Sequence, residues 1–192
     1  MSIFLTKDLI IAEGNSRICY NHPFDSSKVL KISKNKYNKF SDNDMEDIYF
    51  NYLENKKIDL SHLTKSYGFI ETNLGKALLV DKVIDFNGKI SLSFKDYILK
   101  SKITEKEDFL VNELKQYIFE NTILFLDVHL TNVFCCEYEK GKYKLIIIDG
   151  LGTARDKLRL KLYFEFKWYA KYKISKQWKK FIQNIEKLRN EK

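Results

Sequence analysis

Residues 125–150, FLDVHLTNVFCCEYEKGKYKLIIIDG, constrain the fold of this chain more than any other stretch. An apolar run ends in Asp127 and a polar loop leads to Asn132. Two strand-like segments, 133–138 and 143–149, then flank Glu139–Lys140–Gly141–Lys142. Side chains alternate between the faces of a strand, so the pattern predicts a β-hairpin on a small sheet. Its two ends lie at Asn132 and Asp149–Gly150, which gathers an acid, an amide and a second acid at one end of that sheet. Asp149 directly follows four aliphatic residues, Leu145–Ile148. A carboxylate there is costly to bury without a partner, and a metal ion is one such partner. The alternative is a turn residue, since Asp-Gly is a common turn pair.

The remaining elements follow from periodicity and turn chemistry. Residues 9–20 (LIIAEGNSRICY) and 28–33 (KVLKIS) read as two strands, joined by NHPFDSS with Pro23 and Asp25 as turn formers. Residues 42–58 read as a helix capped by Asp42 or Asn43, with Met45, Ile48, Tyr49, Tyr52 and Leu53 on one face. Strands are expected near 67–72 and 76–83, and helices over 93–101 and 104–121, the latter opened by a Thr104–Glu107 capping box. Residues 123–126 are strand-like. The tail, 156–190, is helical, with Trp178, Phe181, Ile185 and Leu188 as its apolar stripe. The class is therefore α+β, with a strand-rich lobe at 1–83 holding one helix and a helical lobe at 84–192. The second lobe carries the 125–150 hairpin and the tail 153–192.

At 192 residues and 44% apolar, the chain can bury a core. It has no run of about 18 apolar residues, and its N-terminus lacks the pattern of a signal peptide. Cys19, Cys135 and Cys136 form neither a disulfide framework nor a metal-ligand spacing, which predicts a reducing, cytoplasmic setting. Charge is uneven. Residues 153–192 hold 13 Lys+Arg against 4 Asp+Glu, so the net +8 comes from the tail. Such a segment favours an anionic partner, whether acidic lipid, polysaccharide or nucleic acid, or else it is a solvated helix face. No base-reading motif supports nucleic acid.

Phosphoryl transfer needs a cation for the nucleotide phosphates, a group to hold that cation, metal ligands, and a carboxylate beside the acceptor hydroxyl. Each has a candidate. Lys31, flanked by apolar residues, is the inward lysine of its strand, whereas Lys28 faces the other side; the alternative for Lys31 is a surface lysine. Glu46, early in the next helix, can pair with it; taken alone it reads as a first-turn carboxylate favouring the helix dipole, and Asp44 and Asp47 are neighbours that could stand in for it. Asp127 and Asn132 stand at D-x-x-x-x-N spacing, and Asp149 completes the set. His129 lies in the same loop and can orient it or contact phosphate. Gly14, in the turn EGNSR, can let backbone N–H groups approach phosphate, with Ser16 and Arg17 as supplements.

The segments EGNSRICYNHPFDSSKVLKI, MEDIYFNYL, YGFIETNLGKALLVDKVIDFNGK, IIDGLG and FKWYAKYKISKQWKKFI, with the Asn132 loop, resemble the YrbL family of bacterial proteins, whose fold is similar to that of protein kinases. The resemblance implies a small two-lobed kinase-like fold with a truncated C-terminal lobe, binding ATP and Mg²⁺. Lys31 would be the phosphate-binding strand lysine and Glu46 its helix partner. Asp127 would be the catalytic acid, Asn132 and Asp149 the Mg²⁺ ligands, and Asp81–Val83 the hinge against adenine. The form D-V-H-L-T-N also looks like the D-x-H-x-x-N loop of aminoglycoside and sugar phosphotransferases. Departures are Phe125–Leu126 in place of His-Arg, Asp149–Gly150–Leu151 in place of Asp-Phe-Gly, and no Ala-Pro-Glu. With only 43 residues after Asp149, too few for the helical platform that holds peptide substrates, the resemblance implies a sugar or glycolipid hydroxyl as acceptor over a protein. A minimal protein kinase, and a nucleotide-binding regulatory module without turnover, are the alternatives. Trp168, Tyr169, Tyr172 and Trp178 among lysines would serve an anionic glycan or the inner membrane surface.

Overall fold

The computed structural model describes residues 2–34, 41–100, 104–153 and 157–191. The chain is α+β and divides into two compact units, residues 1–57 with 64–82 and residues 58–63 with 83–192.

The first unit is built on an antiparallel sheet. Its strands are β1 (Ile10–Glu13), β2 (Arg17–Asn21), β3 (Lys28–Ser33), β4 (Ser66–Thr72) and β5 (Gly75–Asp81), in the order β1-β2-β3-β5-β4. Residues 9–20, expected as one strand, are a hairpin. The Gly14 N–H donates to the Arg17 carbonyl (2.9 Å), so β1 folds back on β2. The alternation in β3 sorts its side chains. Leu30 and Ile32 pack with Leu5, Tyr20 and Ala77, while Lys31 points to the opposite face. Helix α1 (Asp42–Asn55) buries Met45, Tyr49, Phe50 and Leu53. Its N-cap is Ser41, not Asp42 or Asn43. Ser41 and Asp44 exchange a capping box, while the Asn43 side chain is drawn inward to the Lys31 carbonyl (2.7 Å).

The second unit holds a three-stranded antiparallel sheet, β6 (Leu92–Ser93), β7 (Val133–Glu139) and β8 (Lys142–Ile147), in that order. The predicted hairpin is β7–β8, with Val133 paired to Ile147 and Glu139 to Lys142. Helices α2 (Phe94–Lys100), α3 (Thr104–Asn121), α4 (Lys157–Glu165) and α5 (Lys167–Asn190) complete the unit. The Thr104 side chain of the expected capping box lies outside the described residues, as does Asp156 at the expected start of the tail helix. The tail is two helices, because Phe166 leaves the helical conformation (φ −109°, ψ 88°). Residues 123–126 are buried but form no strand. Their pairing is a single bridge, Phe125 to Leu151. Phe181, fully buried, centres an aromatic core with Phe94 (6.3 Å), Phe125 (5.8 Å) and Trp178 (5.2 Å). The short segment 58–63 joins this unit through His62, whose carbonyl accepts from Ile147 N–H (2.8 Å) and whose Nδ1 lies 2.7 Å from the Leu145 carbonyl.

Candidate functional site

In the first unit the sheet register brings two cations to one acid. Arg17 pairs with Ser33 and Cys19 with Lys31, so Arg17 and Lys31 project from the same face of adjacent strands. Both reach Glu46 on α1. Lys31 Nζ lies 2.7 Å from Oε1, and Arg17 Nη1 lies 2.5 Å from Oε2. Glu46 is completely buried, and both cations are nearly so. A charge buried this deeply persists only when it is paired and hydrogen-bonded, as here. The neighbouring acids are used otherwise. Asp44 caps the helix, and Asp47 accepts from Asn51 Nδ2 (3.1 Å), its carboxyl raised above the usual range mainly by burial. Arg17 is thus a member of the Lys31–Glu46 group. Asn43 adds to it, accepting from Arg17 Nη1 at 3.1 Å. Sequence reading missed this role, although the two-residue offset from Cys19 and the strand pairing carry it.

In the second unit backbone bonds knit the acid–amide–acid set. The Gly150 carbonyl accepts from both Leu126 N–H (2.9 Å) and Asp127 N–H (3.2 Å), and Gly152 N–H donates to the Leu124 carbonyl (2.9 Å). The Asn132 carbonyl accepts from Ile148 N–H (2.9 Å), which fixes the other side. Asn132 Nδ2 donates to the Asp127 carbonyl (2.9 Å) and carboxylate (3.1 Å), so its Oδ1 is the atom it can offer a cation. Asp149 Oδ1 accepts from Gly150 N–H (2.6 Å). His129 Nε2 stands 3.3 Å from Asp127 Oδ1. Gly150 has φ +81°, and a Cβ there would sit 2.6 Å from the Asp127 carbonyl oxygen. Only glycine meets both conditions. Carboxylate and amide oxygens are the donor type hard divalent cations take, usually one or two carboxylates with the rest from water and phosphate. Among the described residues no group of three or more His, Cys, Asp or Glu is gathered for a metal.

Helix α5 supports this loop. Gln177 Nε2 donates to the Leu126 carbonyl, and Asn184 Nδ2 to the Val128 carbonyl (3.0 Å). Arg189 binds buried Glu107 of α3 through Nε (3.1 Å) and Nη2 (2.9 Å), anchoring the end of the helix. Neither Gln177 nor Asn184 is visible as functional in the sequence, because a side-chain bond to a distant carbonyl leaves no periodic signal.

The other candidates are placed as follows. Gly14 lies in the exposed β1–β2 turn, where an added Cβ would meet only the Arg17 carbonyl at 3.7 Å, an ordinary contact. Asp81 accepts from Lys28 Nζ (2.6 Å), a bond that raises the lysine's pKa, and its N–H donates to the Lys65 carbonyl (2.9 Å). Val83 is buried against Cys136 and Ile146, and its carbonyl accepts from Ser91 N–H (3.2 Å). In the tail, Trp168 and Tyr172 are exposed, whereas Tyr169 stacks on Tyr163 at 4.9 Å. Trp178 is core, packed on Phe119 and Phe181, and presents no surface to a ligand.

Comparison with known proteins gives one consistent relationship. The chain is 25% identical over 189 residues to the protein named "Uncharacterized protein YrbL" of Escherichia coli (strain K12), covering 94% of this chain and 86% of that one. The Shigella flexneri protein of the same name matches with the same values. The family model described as "PhoP regulatory network protein YrbL" matches residues 3–186. With nearly its whole length accounted for by that model, the chain belongs to the YrbL family.

Proposed function

We propose that the chain is a small kinase-like phosphotransferase that uses ATP and Mg²⁺ to phosphorylate a hydroxyl on a sugar or glycolipid. The observation that carries this reading is the Lys31–Glu46 pair at 2.7 Å, a strand lysine held by a fully buried helix glutamate. In kinases such a pair fixes the cation that engages the nucleotide phosphates. Lys31 is the phosphate ligand here, and Glu46, Arg17 and Asn43 orient it. Gly14 keeps the exposed β1–β2 turn free of a side chain, so that phosphate would approach the backbone of that turn, its own N–H being taken by the Arg17 carbonyl. Asp81–Val83 forms the hinge against adenine.

The second cluster supplies the rest. Asn132 Oδ1 and the Asp149 carboxylate are the oxygen ligands for Mg²⁺. Held there, Mg²⁺ would supply charge neutralisation to the nucleotide phosphates. Asp127 orients the acceptor hydroxyl and accepts its proton, held by Asn132 and by its N–H bond to Gly150. Placement of the protein in the cytoplasm accompanies this reading. No helix among the described residues is long and apolar enough to cross a membrane.

The test is ADP release by the full chain with Mg·ATP over a panel of sugar and glycolipid acceptors. Asp127→Ala should cut turnover at least about 10²-fold, the usual contribution of a positioned base, and leave nucleotide binding intact. Lys31→Ala should weaken nucleotide binding itself. Phe125 favours a second reading. Where kinases carry His-Arg, Phe125 is a core aromatic packed on Phe181, which fits a nucleotide-binding module without turnover. ATP binding that needs Lys31, with no turnover on any acceptor, would select that module; no nucleotide binding at all would remove both readings.

A further inference from the structure

The tail divides into two halves with different employment. From Ile174 onward α5 is structural. Ile174, Trp178, Phe181 and Ile185 are buried, and Gln177, Asn184 and Arg189 are bonded to the body of the unit. Residues 157–172 are the reverse. Leu158 (70%), Trp168 (71%) and Tyr172 (64%) stand largely in solvent, and Phe166 (45%) and Leu162 (37%) do so in part. Leu158, Leu162 and Phe166 recur at four-residue intervals along one side of α4 and its exit. Trp168 and Tyr172 recur at the same interval on α5. Between 157 and 173 the chain carries six Lys or Arg and one acid, Glu165.

We infer that α4 and the first turns of α5 dock on an anionic lipid bilayer, with Leu158, Leu162, Phe166, Trp168 and Tyr172 entering the headgroup–acyl boundary. Exposed apolar residues this concentrated mark an interaction surface. Charge complementarity selects an anionic partner, since the lysines stand beside the apolar groups on the same two helices. The aliphatic members select lipid. A nucleic acid or acidic polysaccharide engages Lys and Arg and stacks on rings, but gives Leu158 and Leu162 nothing to bury against. A bilayer takes aliphatic side chains, Trp and Tyr at its boundary, and lysine above them. Leu160, Tyr163 and Ala170 are buried, and Tyr163 stacks on Tyr169, so the two helices are held together without the exposed residues and docking requires no unfolding.

The inference does not depend on phosphotransfer, because vesicle binding is read without nucleotide or acceptor. Full-length protein is sedimented with vesicles of phosphatidylglycerol and, separately, of phosphatidylcholine. Binding to the first and not the second is expected. Leu158→Gln, Leu162→Gln and Trp168→Gln together should weaken it by about tenfold or more, the effect of withholding that much apolar surface. Leu158 and Trp168 are mostly exposed and Leu162 partly so, so the variant should keep the wild-type circular dichroism, and Leu158→Gln with Trp168→Gln alone should keep the melting curve as well while still weakening vesicle binding. Brominated phosphatidylglycerol should quench Trp168, and that quenching should vanish in Trp168→Phe, where buried Trp178 remains. No association with phosphatidylglycerol overturns the inference. So does association that the triple variant retains in full, which would make the tail a charge-only surface equally served by heparin or DNA.

Discussion

Two residues set the precision of the clusters. Glu46 takes both Lys31 and Arg17 and is itself fully buried. Glu46→Ala should destabilise the chain by about 3–5 kcal/mol, because two buried cations lose their counter-charge. Asp47→Ala, one position on, should change stability by no more than about 0.5 kcal/mol. Urea denaturation of the pair separates them. Gly150→Ala combines φ +81° with a 2.6 Å clash on the Asp127 carbonyl, and should cost about 1–3 kcal/mol while displacing the loop. Strand parity and apolar flanks were enough to prefer Lys31 over Lys28, whereas nothing in the sequence itself separated Glu46 from Asp44 and Asp47; only the buried pairing does. The part of Arg17 was not legible, since it depends on which strand lies beside β3. Gly150 was read only as half of a turn, because its tight contact is with a residue 23 positions away.

Elements differ in how fully their sequence describes them. Alternation and turn residues located β7 and β8, and 3–4 spacing located α1 and the inner half of α5. Boundaries failed where local chemistry had competitors. Asn43 is a good cap by type, but it is recruited by the Lys31 carbonyl, and Ser41 takes the cap. Ser41→Ala should therefore lower stability by about 1 kcal/mol, whereas Asp42→Ala should not. Thermal melts will rank them. Residues 9–20 read as one strand although EGNSR within them carries turn chemistry, and it is that turn that divides them into β1 and β2. The inner face of α5 was legible as the stripe Trp178, Phe181 and Ile185, but Trp178 also reads as one of the ligand-facing aromatics among the lysines, and its burial removes it from that group. Trp178→Ala opens a cavity against Phe119 and Phe181 and should cost about 3–5 kcal/mol by denaturant titration, a loss no surface tryptophan would produce. Asn184→Leu is expected to leave the fold intact and lower turnover, as its bond to Val128 restrains the loop after Asp127.

At the scale of the molecule, stability should fall on the alkaline side. Burial pushes Cys135, whose ordinary value is 9.0, and Tyr97 and Tyr163, whose ordinary values are 10.0, each up to about 12. Below 9 these groups are protonated in both the folded and unfolded chain, and their stabilising effect is complete. Above it the unfolded chain releases protons first, so stability declines as pH rises towards about 12. Melting curves at stepped pH should show this, with a shallower decline at its start in Cys135→Ala. The hairpin carries a different consequence. Its base is held at Asn132–Ile148, while its tip, Glu139–Lys142, is exposed and turns through Gly141 at φ +78°. Each doubling of a loop costs only about 0.6 kcal/mol. Lys140–Gly141 is accordingly a graft point, where an epitope or fluorescent peptide can be spliced in without shifting Asp127 against Asp149. By the same logic, distant kin are better sought with Asp-to-Asn spacing held at five and the gap from the amide to the second acid left open.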